Sequence, residues 1–407
     1  MGYELDGEGR CRLDGYFAEI GVALNNKKRR ESFAIYAYGL LSNLERKSAE
    51  PIAAAAIGHP ARCHASHQRL LHFAADSPWS DGDVRCVAAR HVVAAMSSRE
   101  PVTTWIIDDT GFPKQGTHSV GVQRQYMGTT GKISNCQIGV TLTIATRSAH
   151  APIDAELYLP ESWANDPLRR KECKIPDDVR FKTKHELALD MITRAVDAGI
   201  PGEVLLADSA YGDSCEFRDT VRIFGFDYAL GIHATTTMWL LDRANRRRGE
   251  AQTARSLAIS LGRGAFRRIT WREGTKAKLR SRFALRRVKV AHDDGTDATT
   301  REPLWLLIEW PDGEKEPTKY ALTTLPRTMT KKQIVRTVKE RWRTEAAYQE
   351  MKGELGLDHF EGRSFRGWHH HVSVVLCCYA FVIGERLRHF PPPQGRQGRG
   401  PEITLAA

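Results

Sequence analysis

The chain has 407 residues, 41% of them hydrophobic, and carries 60 Lys and Arg against 49 Asp and Glu. That hydrophobic content excludes global disorder, and the length implies two or three domains at roughly 100–200 residues each. The formal charge of +11 favours a polyanionic partner.

Residues 1–100 carry helical patterning, and we expect a helical N-terminal domain there. FAIYAYGLLSNLERKSAEPIAAAAI has apolar residues at helical spacing with Pro51 as a start or break. HQRLLHFAADSPW breaks before Pro78, and DGDVRCVAARHVVAAM follows with Ser80 or Asp81 as its cap. The texture changes at TTWIIDDTGF, where the apolar, β-branched run Thr103 to Ile107 ends in two carboxylates, Asp108 and Asp109. NCQIGVTLTIATRS and HAPIDAELYLP read as two antiparallel strands. HELALDMITRAVDAGI reads as an amphipathic helix closing at Gly199. EVLLADSAYGD is a buried strand ending in Asp208, EFRDTVRIFGF is helical, and DYALGIHA is a further strand. Residues 101–235 therefore predict an α/β fold with a mixed sheet.

Residues 236–326 interrupt that pattern. RRITW, RFALRRVKVAHDDG, LWLLIEWPDG and KYALTTLP read as strands punctuated by D-G turns, a β-rich insertion. Residues 241–290 hold sixteen Lys or Arg and only three Asp or Glu, so the positive excess of the chain is concentrated there. Residues 327–390 return to helices, and 391–407, with PPPQGRQGRGP, read as a flexible tail. Cysteines 11, 63, 86, 136, 173, 215, 377 and 378 form no C-x-x-C pair, so neither a zinc site nor a disulfide framework is signalled. No charged-then-apolar leader opens the chain, and no apolar run reaches the roughly 18 residues of a membrane span. A cytoplasmic, reduced, soluble protein is the expectation.

In RWRTEAAYQEMKGELGLDHFEGR, read as one helix, Arg341, Glu345, Tyr348 and Lys352 fall within roughly 60° of one another. An isolated face of this kind is most simply a solvated ion-pair face. Asp108 (or Asp109), Asp208 and Glu345 would nonetheless make three carboxylates from distant parts of the chain. Three carboxylates can hold two Mg²⁺ or Mn²⁺ ions, hard cations that take oxygen ligands and catalyse displacement at phosphorus. Spacing alone does not bring them together, and a strand-end acid is commonly a turn cap.

These residues resemble the DDE transposases of bacterial insertion sequences, in the group with a Y-R-E-K signature on the last catalytic helix. Arg341, Glu345 and Lys352 match the last three members of that signature at its spacing, and Val338 stands in the tyrosine position, with Tyr348 as a substitute on the same face. IIDDTGFPKQG is similar to the first-aspartate motif and makes Asp108 the ligand. VGVQRQYMGTTGKISNCQIGV is similar to the block after it, LLADSAYGD to the second-aspartate motif, and GLDHFEGRSFRGWHHH to the segment after the catalytic helix. The resemblance implies a ribonuclease-H-like fold with a β insertion before the catalytic helix. It makes Asp108, Asp208 and Glu345 catalytic ligands of two Mg²⁺ or Mn²⁺ ions, and Arg341 and Lys352 phosphate contacts.

By the same resemblance the partner is double-stranded DNA, both element ends and target, held by a homodimer on paired ends in the cytoplasm, at the nucleoid. Arg267, Arg268 and Arg272 of the insertion would neutralise phosphates, and Trp271 among them would stack on a displaced base, with Trp305 and Trp310 as alternatives. Trp271 also reads as a core residue of the insertion. His369, His370 and His371 look like a metal tract, but three in a row project in different directions from a helix, which favours a structural or DNA-contact role. Two other functions stay open: a catalytically inactive DNA-binding descendant of a transposase, and a nuclease without strand transfer.

Overall fold

A computed structural model describes residues 5–57, 60–128, 131–274, 277–291 and 302–389. The tail 391–407 and the D-G turn of VAHDDG lie outside the described residues. In chain order come α1 (Gly7–Leu24), α2 (Lys27–Leu41), α3 (Ala49–Ile57), α4 (Pro60–Ala75) and α5 (Asp81–Ser97). Then follow β1 (Thr104–Pro113), β2 (Gln123–Met127), β3 (Lys132–Ala145), β4 (His150–Tyr158), α6 (Glu161–Ala164), α7 (Pro167–Glu172) and α8 (Lys184–Asp197). Next are β5 (Val204–Ala207), α9 (Ser209–Gly212), α10 (Cys215–Ile223), β6 (Asp227–Ile232), β7 (Thr237–Leu241), β8 (Arg247–Thr253) and α11 (Ala254–Ser260). The chain closes with β9 (Arg267–Glu273), β10 (Lys278–Val290), β11 (Leu304–Trp310), β12 (Lys319–Thr323), α12 (Lys331–Lys339), α13 (Trp342–Leu355) and α14 (Phe365–His389).

The predicted order of elements between β1 and β6 holds, as does the antiparallel pairing of β3 with β4. Local chemistry explains the helix starts. Ser80 caps α5 through Asp83 N–H, and Thr183 with Glu186 closes a capping box on α8. Gly199, with φ +68°, ends α8 in the left-handed region that favours glycine. Sequence patterning passed over β2, β7, β8 and α11. β2 and β8 are polar and half exposed, so they lack the apolar signature of a buried strand.

Among the described residues twelve strands join one mixed sheet, in the order β2-β3-β1-β5-β6-β12-β11-β10-β7-β8, with β4 added on β3 and β9 on β10. The β-rich insertion extends the central sheet rather than forming a separate one, because β12 pairs antiparallel with β6. One face carries α8 and α10; the other is covered by α12, α13 and α14. A second small core lies under α12, with Ile106, Leu206, Ala229, Phe283, Leu307, Ile334 and Val335.

α14 is the hub of the helical side. Nineteen of its residues are buried, and α1, α2, α4 and α5 pack around it in one continuous core. Its 25 residues are long and apolar enough to pass for a membrane span, contrary to the expectation from the sequence, yet 89% of its most apolar window is buried in the protein. The three histidines are absorbed by this packing. His369 bonds Glu156, His370 bonds the carbonyls of Ala74 and Trp79, and His371 bonds Tyr36 and the Gly356 carbonyl. Each projects in its own direction, as three consecutive helical residues must. All eight cysteines are free thiols.

Candidate active site

β1 and β5 run parallel with Thr104 opposite Val204, Trp105 opposite Leu205 and Ile106 opposite Leu206. Two residues past the last pair, Asp108 on β1 and Asp208, the residue that follows β5, continue that register, and both carboxylates come within 4 Å of Arg341 Nη2. Side chains alternate along a strand, so Asp108 shares the face of Ile106 and Asp208 that of Leu206, both residues of the core under α12. Asp109 points to the opposite face. There Lys184 of α8 donates to it at 2.5 Å and the Tyr211 hydroxyl donates to its other oxygen. Strand parity thus puts Asp108, and not Asp109, on the face that Arg341 reaches.

Asp108 is buried at 8% exposure. Burial pushes its carboxyl up, Arg341 beside it opposes that, and nearby Asp208 adds to the rise, leaving it at about 7. Asp208 is more open and is fixed from behind, because its Oδ1 accepts the Ala210 N–H at 2.9 Å as the cap of α9. Gly231 permits this approach: a Cβ there would stand 2.9 Å from Ser209 N and 3.1 Å from the Asp208 carbonyl carbon. Above the pair, Arg341 Nη2 lies 3.3 Å from Asp108 Oδ2 and 3.9 Å from Asp208 Oδ2.

The helix predicted around Arg341 is interrupted. α12 ends at Lys339, Glu340 is its C-cap, and α13 starts at Trp342 with Arg341 in the cap position. Val338 belongs to α12 and packs on the small core. The face shared by Arg341, Tyr348 and Lys352 turns toward the sheet rather than to solvent. Tyr348 is 7% exposed and its hydroxyl meets that of Thr141 on β3, which removes it from the expected DNA contacts. Lys352 donates to the Gly111 carbonyl at 2.7 Å and lies 5.3 Å from the Phe112 ring centroid, so it ties α13 to β1. Glu345 is exposed. Among the described residues no cluster of three or more His, Cys, Asp or Glu side chains is placed to hold a metal ion, so Glu345 is not gathered with the aspartates.

The two aspartates by themselves fit a hard divalent cation. They offer oxygen donors side by side, and a positive group already sits against both. Sequence reasoning missed Thr141, Lys184 and Tyr211. Tyr211 lies within ADSAYGD and was within reach of the second motif, whereas Lys184 looks like any first-turn lysine.

In the insertion, Arg267 is exposed, Arg268 pairs with Asp312 at 2.8 Å, and the Arg272 guanidinium stacks 3.5 Å over Trp342. Trp271 is half-buried under α12, edge-on to Phe283 at 5.6 Å, with Lys339 Nζ 4.6 Å over its ring. One of its faces is thus taken. Trp310 is buried and donates to the Glu314 carbonyl, while Trp305 is half-buried against Arg287. We expect Trp271→Ala to lower the unfolding free energy by about 2 kcal/mol and Trp271→Phe to recover most of it. Urea midpoints test this, and an unchanged midpoint for the alanine variant would return Trp271 to the role of a stacking surface.

Comparison with known proteins identifies the family. The family model for the DDE superfamily endonuclease matches residues 19–278, and that for the transposase DDE domain matches residues 176–381. A probable transposase for insertion sequence element IS701 of Microchaete diplosiphon is 28% identical over 214 residues. That match takes in 52% of this chain and spans about half, 51%, of the relative. Asp108 falls inside the first matched range, Arg341 and Glu345 inside the second, and Asp208 inside both. The chain belongs to the DDE superfamily of endonucleases and carries a transposase DDE domain.

Proposed function

We propose that the protein is a metal-dependent transposase on a ribonuclease-H-like core. It binds the terminal repeats of its element as double-stranded DNA, cleaves the ends by hydrolysis and joins the 3′-hydroxyls to target DNA. The observation that carries this reading is the parallel register that sets Asp108 beside Asp208 with Arg341 across both. Asp108 and Asp208 would hold Mg²⁺ or Mn²⁺; Glu345, the third carboxylate that the family motif implies, stands exposed on α13 and apart from them. Such ions, as a pair, activate the attacking oxygen and stabilise the leaving one in an in-line displacement.

The protein's own residues set the stage for that step. Burial of Asp108 by the sheet and α13 keeps water from screening its charge. The Ala210 N–H fixes the direction of the Asp208 carboxylate. Arg341, at the joint of α12 and α13, would meet a phosphate beside the carboxylates. Asp109 is occupied with Lys184 and Tyr211 and holds α8 and α9 to the sheet. The insertion supplies phosphate contacts, the helices of residues 1–100 contribute to end recognition, and two copies act on paired ends in the cytoplasm, at the nucleoid.

Incubation with Mg²⁺ and a plasmid carrying the element ends tests the reading directly. End cleavage followed by joined product on a gel supports it; cleavage without joining leaves a nuclease, and binding without cleavage leaves an inactive descendant. The insertion gives a smaller expected effect. Arg267→Ala should shallow the dependence of log Kd on log salt by about one phosphate, and Arg268→Ala by less, since Asp312 already holds it. Equal slopes for wild type and Arg267→Ala would take that residue off the DNA path.

A further inference from the structure

Three arginines that meet carboxylates in this protein are held very differently. Arg12 grips both oxygens of Glu385 at 2.9 and 2.6 Å, and Arg194 holds Asp154 through two nitrogens at 3.0 and 2.8 Å. Arg341, at the carboxylates of the active site, makes one long bond to Asp108, at 3.3 Å, and a longer approach to Asp208, at 3.9 Å. Its Nε is buried without a hydrogen-bond partner. Its side chain is 27% exposed, and it stems from the turn between α12 and α13, as an N-cap that makes no side-chain capping bond. The guanidinium therefore neutralises the aspartates without being locked to them. Charge holds it there, and little geometric complementarity does.

We propose, building on the transposase reading, that Arg341 is an exchangeable counter-cation of the Asp108–Asp208 pair. A divalent ion bound by those carboxylates takes over their neutralisation and displaces the guanidinium. Set free at the joint of two helices, the guanidinium completes its unfilled hydrogen bonding on a phosphate of the DNA backbone. Metal and DNA then load cooperatively, because each one removes the competitor of the other. Linkage makes the coupling reciprocal, so DNA must tighten metal binding by the same factor as metal tightens DNA binding.

The test is Mn²⁺ binding followed by electron paramagnetic resonance, on the full chain alone and saturated with a short DNA duplex, with uptake by the duplex alone subtracted. Wild type, Arg341→Gln and Arg341→Lys are compared, with circular dichroism as the check of folding. Without DNA, Arg341→Gln should bind Mn²⁺ about 5- to 10-fold more tightly than wild type, and Arg341→Lys about as wild type. DNA should tighten Mn²⁺ binding about 5- to 10-fold in wild type and less than about twofold in Arg341→Gln. Unchanged or weaker Mn²⁺ binding by Arg341→Gln, or an equal effect of DNA on both proteins, overturns the exchange. Asp108→Asn and Asp208→Asn separate this from the underlying reading. If they bind Mn²⁺ as wild type does, the metal is held elsewhere and the proposed active site itself fails. If they lose binding while Arg341→Gln changes nothing, only the exchange fails.

Discussion

Asp108→Asn and Asp208→Asn are each expected to lower Mg²⁺-dependent cleavage of element-end DNA by at least about 10³-fold, equivalent to roughly 4 kcal/mol of transition-state stabilisation. Affinity for the ends should stay within a few-fold, because neither carboxylate adds positive charge toward a phosphate. Asp109→Asn should keep cleavage within about tenfold of wild type. The strand turns the two side chains to opposite faces, the backbone N–H that Asp109 donates to Asp108 survives the substitution, and the Asp109 carboxylate already serves Lys184 and Tyr211. Its loss should appear as lower stability, since it leaves the Lys184 ammonium without its partner. The assay is cleavage of end-labelled duplex at saturating protein. An essential Asp109 with a dispensable Asp108 would place the chemistry on the α8 face of the sheet and remove Arg341 from it.

Much of this site was legible because strands deliver acids in a readable way. A β-branched run ending in carboxylates, and an apolar run ending in ADSAYGD, were enough to single out the Asp108–Asp109 pair and Asp208 and to predict their strands. Which of Asp108 and Asp109 faces the site was not legible from periodicity, since parity needs a neighbouring strand as reference; the family motif supplied it. The face of Arg341, Glu345, Tyr348 and Lys352 read from one continuous helix holds only in part: Tyr348 and Lys352 turn to the sheet, Glu345 is exposed, and Arg341 sits in the break before α13. Angular proximity on a helix says that residues share a side, and not whether that side meets solvent or a sheet. Tyr348 against Thr141 and Lys352 against the Gly111 carbonyl are contacts between segments about 200 residues apart or more in the chain, beyond any local pattern. Glu340, with helix-compatible residues on both sides, gave no sign of the break before α13. In the insertion, composition revealed the excess of arginine, but only pairing showed that Asp312 holds Arg268 and that Trp342 lies under Arg272.

Asp108→Asn is also expected to make the protein more stable, by an amount that grows about 2–3 kcal/mol between pH 5 and pH 8 when divalent ions are chelated. The carboxyl sits at about 7 in the fold, against an ordinary value of 3.8. Between those values the folded protein binds a proton that the unfolded chain has released. Stability conferred by the neutral carboxyl is therefore complete below about pH 4 and is lost as the pH rises toward 7. The full span corresponds to about 4 kcal/mol at 1.36 kcal/mol per unit, and little solvent screening is available at 8% exposure. Asparagine has the same shape without the charge, so its stability lacks this slope, and all other titrating groups cancel in the comparison. Urea midpoints of both proteins at pH 5, 6.5 and 8 give the difference. Adding Mg²⁺ at pH 8 should stabilise wild type and leave Asp108→Asn almost unmoved, because the ion binds the ionised pair. A difference that stays flat across this range would mean that Arg341 keeps Asp108 ionised throughout, and the carboxylate would then be ready for metal at any pH in the range.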